Sequence, residues 1–563
     1  MKDLWSRLWR DRLLAVEVLA SSLAIQVLGL ASALYVILVL NRYVAHGVDA
    51  TLLTLTVGAL MAAVLEFLFR TARTRFLAVL SGLADGALAQ NAFEVLTQAR
   101  LAALTQADRG LVRSAITGLN EVRAAYAPAN LAALLDIPFA LVFLLVVFLL
   151  NAMLGLAAVL VMAGFLLACF ALTRAVGGIA HAQVRETAQG GVLVTQGAAV
   201  PETVRAFNAG GWLAGRWQAH LERLLDLGAR SQGTQSRLQA LTAAGSGVLT
   251  IVVIGLGARA VVAQELDVGA LIGINILVAR AWGAVARYPS LREVFERARQ
   301  AQGLTQELLR LPREATTGMR LTKYSGQLEF KDVAFAYGGA TAPLFESLNF
   351  ALPTGGILAV TGKNASGKTT FCRLLMQLLD PTRGQVQVDG VELRQIDPRW
   401  WRTQVMYAPQ EAEFFDGTLL DNLTLGREVE ETALNTAVRD AGLRPFLDQT
   451  PKGLQMPVAD MGRQLSLGIR RRLALARALL SGGRLAVFDE PTEGLDADGV
   501  QAVYVVLNRL VAEGYSVVVC SNDPWIVRAA HWRLNLDDKP VPTMVRQHAT
   551  QAAMAPATEE KTQ

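Results

Sequence analysis

Six apolar stretches in the first half of the chain constrain its fold more than any other feature. They run at about residues 13–40, 52–68, 131–150, 152–172, 241–254 and somewhat beyond, and 268–284. Each approaches the roughly 20 residues that cross a bilayer core. In hydrocarbon every backbone N–H and C=O must be paired within the segment, so such runs fold as helices. The first is too long for a signal-peptide core and lacks a small-residue cleavage site. The second half of the 563-residue chain reads as an ordinary soluble domain, so the 52% hydrophobic composition is spread unevenly. A chain of this length holds more than one domain.

Charge asymmetry orients the helices. Lys2, Arg7, Arg10 and Arg12 precede the first run, and Arg70, Arg73 and Arg75 follow the second. Arg174 and Arg185 follow the fourth, and Arg280, Arg287 and Arg292 lie at or beyond the end of the sixth. The opposite loops are short and carry only Arg42 and Arg259 on the basic side. Basic residues stay on the cytoplasmic side, so the N-terminus and the long segments are expected in the cytoplasm, with the chain crossing a lipid bilayer. The net charge of +5 fits loop charge near a membrane. No Lys/Arg run with interleaved aromatics points to a nucleic acid.

Two carboxylates, Glu17 and Glu66, fall inside or at the ends of spans. A charge at mid-membrane costs roughly 3 kcal/mol on insertion scales. One reading is a polar lining of a translocation path. The reading favoured by the nearby arginines places both carboxylates at cytoplasmic helix ends, within reach of solvent. The three cysteines, Cys169, Cys372 and Cys520, lie far apart in apolar runs, which predicts neither a disulfide framework nor a metal site.

The segments 75–130 and 173–240 are amphipathic, alternate in charge and are too long for simple loops. They are read as helices two to five extending below the membrane and ending in turns near 109–121 and 191–207. Those turns would dock on the soluble domain and carry motion to the membrane; bundle packing without coupling is the plainer alternative. Residues 289–327 read as a charged helical linker. Residues 539–563, rich in Ala, Thr, Gln and Pro, read as a disordered tail.

The chemistry lies in the second half. Gly362, Lys363, Asn364, Ala365, Ser366, Gly367, Lys368, Thr369 and Thr370 contain the pattern G-x-x-x-x-G-K-T. A short apolar run precedes them and an apolar helix pattern follows. That strand–loop–helix context is what a phosphate-binding loop needs. The glycines let backbone N–H groups turn inward, and the helix N-terminus adds partial positive charge. Lys368 would neutralise phosphate charge and the Thr369 hydroxyl would ligate Mg2+. A chance glycine-rich turn is the competing reading, and the flanks argue against it.

Residues 328–337 alternate as a strand ending in Tyr337, which could stack on an adenine ring or be only a strand residue. Residues 405–410 form a strand ending in Gln410. Residues 485–490 form a buried strand ending in Asp489 and Glu490. Asp489 would hold Mg2+ and Glu490 would polarise the attacking water as general base. Ser466 and Gly468 stand at the head of a helix, a second anion site. Since one phosphate loop already holds the nucleotide tail, this second site suggests completion by a second subunit.

The phosphate loop, Gln410, the stretch Leu465-Ser466-Leu467-Gly468 and the pair Asp489-Glu490 occur in the order and approximate spacing of an ABC transporter ATPase. Six spans fused ahead of it resemble an ABC exporter half-transporter. The stretches 135–143, beginning Leu135-Asp136-Ile137-Pro138, and 456–462 are similar to type I secretion ATPases of the protease or haemolysin exporter kind. The resemblance implies an all-α six-helix transmembrane domain (1–288) with long cytoplasmic helical extensions, a linker (289–327) and an α/β P-loop ABC ATPase domain (328–538). It implies ATP and Mg2+ as cofactors, with Thr369, Gln410 and Asp489 toward the metal. It implies a homodimer or heterodimer of half-transporters, each ATP lying between Lys368 of one subunit and Ser466 and Gly468 of the other. The inner membrane is the expected location, and a periplasmic adaptor and outer-membrane channel are the expected partners.

The sequence departs from the family in three places. Leu467 and Ile469 replace the usual Gly and Gln of Leu-Ser-Gly-Gly-Gln. The histidine expected after the strand at 516–520 is Asn522, which can donate a hydrogen bond to a γ-phosphate but cannot carry a proton or charge. The usual Ser-Ala-Leu-Asp reads Glu493-Gly494-Leu495-Asp496. The expectation is therefore an ATP-driven exporter, of a polypeptide by resemblance, with slow but real hydrolysis and with Glu490, Lys368 and Asn522 as its catalytic residues. The alternative is a weakly or non-hydrolytic ATP-binding subunit that gates or scaffolds a partner transporter.

Overall fold

The computed structural model describes residues 9, 11–44, 49–106, 109–174, 177–340 and 342–547. Lys2, Arg7 and Arg10, and the tail from 548, lie outside the described residues. The chain forms two compact units: Met1–Gln98 with Thr105–Leu311, and Ala99–Leu104 with Pro312–Gln563.

The first unit is helical. It is built from α1 (Arg12–Leu38), α2 (Asp49–Gln98), part of α3 (Leu101–Gln106), α4 (Arg109–Ala125), α5 (Pro128–Leu150), α6 (Ala152–Arg174) and α7 (Gly177–Ala199), then α8 (Pro201–Ala206), α9 (Gly210–Val262), α10 (Val268–Val285) and α11 (Tyr288–Leu309). The Asp11 carboxylate caps α1 by accepting from Leu13 N and Leu14 N at 3.1 and 3.3 Å. Among the described residues, six helices are long and apolar enough to cross a membrane, and they contain the six predicted spans. α2 has 50 residues and α9 has 53. At 1.5 Å per residue they reach about 75 and 80 Å, against a hydrocarbon core of about 30 Å. Spans two and five therefore carry the expected extensions; the helices of spans three and four, Pro128–Leu150 and Ala152–Arg174, have 23 residues each and do not extend continuously in the same way. Leu141, Leu145, Leu149, Leu156 and Leu160 stand exposed on the spans, as side chains facing lipid do. Within the bundle, small residues let helices touch: a Cβ on Gly273 of α10 would lie 2.3 Å from Ile37 Cγ1.

Two partly buried carboxylates of this bundle, Asp136 and Glu66, are ion-paired. Arg73 of α2 meets Asp136 of α5 at 2.6 Å. Gln26 of α1 donates to the same carboxylate at 3.0 Å, and Arg73 donates to Ser22 Oγ at 3.4 Å. Glu66 pairs with Arg70 at 2.6 Å and Arg280 at 3.5 Å, and its side chain is only 15% exposed. Glu17 lies exposed on α1.

Two boundaries differ from the sequence reading. The first cytoplasmic reversal was expected near 109–121, but that stretch is inside α4; the break falls at Ala99–Arg100. Ala99–Leu104 belongs with the second unit. There Ala99 bridges Arg313, Arg100 N donates to Pro312 O at 2.8 Å and Arg100 pairs with Asp380 at 3.0 Å. The region read as one linker is divided: α11 packs in the first unit, with Thr305 Oγ1 donating to Ala115 O of α4 at 3.2 Å. The chain from Pro312 onward joins the second.

The second unit has two main sheets. β1 (Leu328–Phe335), β2 (Phe345–Leu352), β4 (Arg383–Val388) and β5 (Val391–Glu392) form an antiparallel sheet in the order β2-β1-β4-β5. β3 (Ile357–Thr361), β6 (Val405–Ala408), β9 (Leu485–Asp489), β10 (Ser516–Cys520), β11 (Trp532–Asn535) and β12 (Thr543–Arg546) form the other, in the order β12-β11-β3-β10-β9-β6. The short β7 (Gly417–Thr418) and β8 (Pro457–Val458) pair with each other. In the larger sheet all neighbours are parallel except the edge pair β11–β12. β3, β9 and β10 are buried at every residue, which is why they read as unbroken apolar runs rather than alternating ones. The helix Lys368–Leu375 places Phe371, Cys372, Leu374 and Leu375 in a core shared with Phe330, Phe345 and Trp401. The tail expected over 539–563 is corrected within the described residues: Thr543–Arg546 is a strand because its backbone completes the sheet edge beside β11, a pairing its side-chain composition does not signal.

Candidate nucleotide site

Apart from Ser466 and Gly468, the predicted site residues gather around the C-terminal ends of the parallel strands, where open α/β sheets bind ligands. β3 runs into the phosphate loop, β6 leads to Gln410, β9 ends in Asp489 ahead of Glu490, and β10 leads to Asn522. The loop turns into its helix at Gly367, whose φ of +113° and the Leu344 side chain 2.9 Å from an added Cβ exclude other residues. Glu490 is held at φ +49°, left-handed backbone that a non-glycine residue adopts at some cost.

The loop is closed on itself. Lys368 Nζ donates to Gly362 O at 2.5 Å and Lys363 O at 3.3 Å, and pairs with Glu490 Oε1 at 3.1 Å. Asn522 grips the same peptide: its Oδ1 accepts from Gly362 N at 3.1 Å and its Nδ2 donates to Gly362 O at 2.8 Å. Ser366 Oγ is buried without a hydrogen-bond partner. Tyr337 hydrogen-bonds Thr370 Oγ1 at 2.8 Å. It lines an open depression of about 460 Å³ with Ala342, Pro343, Leu344, Glu346 and Lys539, a size suited to a small ligand.

Gln410 Nε2 donates to Glu493 Oε2 at 3.2 Å, and Arg471 pairs with the same carboxylate at 3.2 Å. These bonds hold the Glu493 carboxyl below its ordinary range, the Gln410 bond first. Asp489 is pushed the other way, by burial above all. The Thr369 hydroxyl lies close enough to act on it electrostatically, yet neither carboxylate oxygen has a hydrogen bond of good geometry. A buried carboxylate without partners is costly. A hard cation taking oxygen ligands would satisfy it, so Asp489 with Thr369 beside it fits Mg2+.

Ser466 and Gly468 are not joined to this cluster. Ser466 is exposed and caps its own helix, Leu467–Leu479, by accepting from Ile469 N at 3.3 Å. Among the described residues, neither shares a hydrogen bond with the phosphate loop. Leu467 is 47% exposed beside them.

Three contacts were not anticipated. Asp537 Oδ1 accepts from Lys363 N at 2.8 Å. Lys539 Nζ donates to Ser366 O at 2.9 Å and also to Leu344 O; burial lowers its pKa. Arg471 Nη1 donates to Glu490 O at 3.4 Å. The only sequence signal for the first two was a charged pair just beyond the last apolar strand.

Comparison with known proteins decides the family. The family described as ABC transporter transmembrane region matches residues 16–282, and that described as ABC transporter matches residues 345–493. The chain belongs to the ABC exporters, with membrane and ATPase domains fused. This ABC exporter is 27% identical over 512 residues to the type I secretion system ATP-binding protein PrsD of Rhizobium meliloti, covering 90% of this chain and 87% of that one. It is 24% identical over 534 residues to the alpha-hemolysin translocation ATP-binding protein HlyB of Escherichia coli O157:H7, covering 94% and 75%. Its fold is similar to that of a bacterial Atm1-family ABC exporter solved with ATP bound, with a TM-score of 0.83 at 20% identity, covering 95% and 96%. It is a half-transporter: one six-span membrane domain and one nucleotide-binding ATPase domain in one polypeptide.

Proposed function

We propose that this exporter moves a polypeptide out of the cytoplasm across the inner membrane as a dimer, driven by ATP, in the manner of type I secretion. The observation that carries the ATPase reading is the 3.1 Å pair between Lys368 and Glu490 beside the phosphate loop. It brings a phosphate-binding cation and a carboxylate base to one point. Arriving phosphates would take over Lys368 and free Glu490 to polarise water. The backbone N–H groups of Gly362–Thr370 would cradle the phosphate chain, and Tyr337 would border the base. Thr369, Asp489 and Gln410 would hold Mg2+, which supplies charge neutralisation for the transferring phosphoryl group. Ser466, exposed, and Gly468, half-buried, share no hydrogen bond with the phosphate loop among the described residues and would serve the nucleotide of a second subunit, identical or related. The ATPase domain and N-terminus would lie in the cytoplasm. The resemblance to PrsD and HlyB supports the polypeptide cargo, and with it a periplasmic adaptor and an outer-membrane channel.

A second reading rests on Asn522. Both of its amide atoms are spent on Gly362, and it cannot take up a proton. Hydrolysis would then be slow, or would depend on a partner subunit with intact motifs. ATP turnover by the chain alone in lipid nanodiscs, beside Glu490→Gln, separates the two. Turnover lost in the variant supports a self-sufficient homodimer; no turnover with ATP binding intact supports the partner-dependent subunit.

A further inference from the structure

Cys372 and Cys520 stand 148 residues apart in sequence, and the fold brings their sulfur atoms to 3.3 Å. Cys372 lies on the phosphate-loop helix. Cys520 ends β10, directly opposite Asp489 at the end of β9. Both thiols are fully buried. The two sulfurs and an Asp489 oxygen all lie within 4.8 Å of one another, and neither Asp489 oxygen has a hydrogen bond. Cysteine spacing alone did not show this meeting, because parallel strands and the loop helix bring distant residues together.

Two thiolates and a carboxylate are a donor set for a thiophilic divalent ion, whereas Mg2+ takes oxygen ligands. Sulfurs each about 2.3 Å from one tetrahedral ion stand about 3.8 Å apart, so the pair would need to part by only about 0.5 Å. We propose that Cys372, Cys520 and Asp489 form a site for a divalent cation of the Zn2+ or Cd2+ class. Binding forms two metal–sulfur bonds and one metal–oxygen bond and releases one proton from each thiol; nothing is oxidised or reduced. The site uses the aspartate that would hold Mg2+ beside the nucleotide, so the soft ion and Mg2+-ATP exclude each other. The proposal holds whatever the cargo and however fast the hydrolysis.

The test titrates Cd2+ into the full chain in nanodiscs, kept reduced and free of nucleotide, and reads the ultraviolet Cd–thiolate charge-transfer band. The expected result is a band saturating at one ion per chain, unchanged in Cys169→Ser, lost in both Cys372→Ser and Cys520→Ser, and removed progressively by Mg2+-ATP. Asp489→Asn, which keeps both thiols, should shift the titration to higher Cd2+. No band in the wild type, or a band that persists in both serine variants, would overturn the site. A band unmoved by Mg2+-ATP and by Asp489→Asn would overturn the shared aspartate.

Discussion

The carboxylates Asp136 and Glu66 of the membrane bundle and Asp489 of the nucleotide site are treated in opposite ways. In the membrane bundle two carboxylates are paired: Asp136 has Arg73 and Gln26, and Glu66 has Arg70 and Arg280, although Arg73 Nε, His220 Nε2 and Gln300 Oε1 are buried without a hydrogen bond. At the nucleotide site polar groups are left open or provisionally bound: Asp489 and the Ser366 hydroxyl lack hydrogen bonds, and Lys368 leans on its own loop. Arg73 and Gln26 in one place and Asp489 and Ser366 in the other are buried, so an open group costs free energy in both. The difference teaches which groups serve the fold and which await a ligand.

The sharpest way to break this contrast is at Glu490. Glu490→Gln should lower ATP turnover about 10²–10³-fold or more, since it removes a group acting in the transition state, while ATP binding persists. A phosphate-release assay against a binding titration checks this. Next comes the paired half. Asp136→Leu would strand Arg73, whose side chain is 4% exposed, and should cost about 3 kcal/mol of stability, read as a lowered unfolding midpoint in detergent. Adding Arg73→Met should recover most of it.

Asn522→His should raise turnover about ten-fold, close to 1.4 kcal/mol of barrier, if the missing histidine limits the rate; unchanged turnover would show that Asn522 suffices. The smallest effect is expected from Arg70→Ala. Arg70 is half exposed and Glu66 keeps Arg280, so the loss should be about 0.5 kcal/mol or less in the same unfolding measurement.

What the sequence disclosed was local. A span is one contiguous apolar run, and a phosphate loop is an eight-residue pattern between a strand and a helix, so both were legible. Contacts made by topology were not. Cys372 and Cys520 meet only because β10 lies beside β3 and β9 beneath the loop helix. Asp136 was legible as part of a resemblance, but its partner Arg73, 63 residues earlier, was not. The break at Ala99–Arg100 went unseen because the amphipathic pattern runs on through it. Asp537 and Lys539 were missed because they sit where the composition turns polar and tail-like.

The most direct test is a crossed comparison of Asp489→Asn and Asp136→Asn, measuring for each the unfolding midpoint without nucleotide and the Mg2+ dependence of ATP binding. If unpaired groups await ligands and paired ones hold the fold, Asp489→Asn will keep or raise the midpoint and lose the Mg2+ dependence. Asp136→Asn will lower the midpoint and keep it. Asp489→Asn unfolding early with its Mg2+ dependence intact would contradict the distinction.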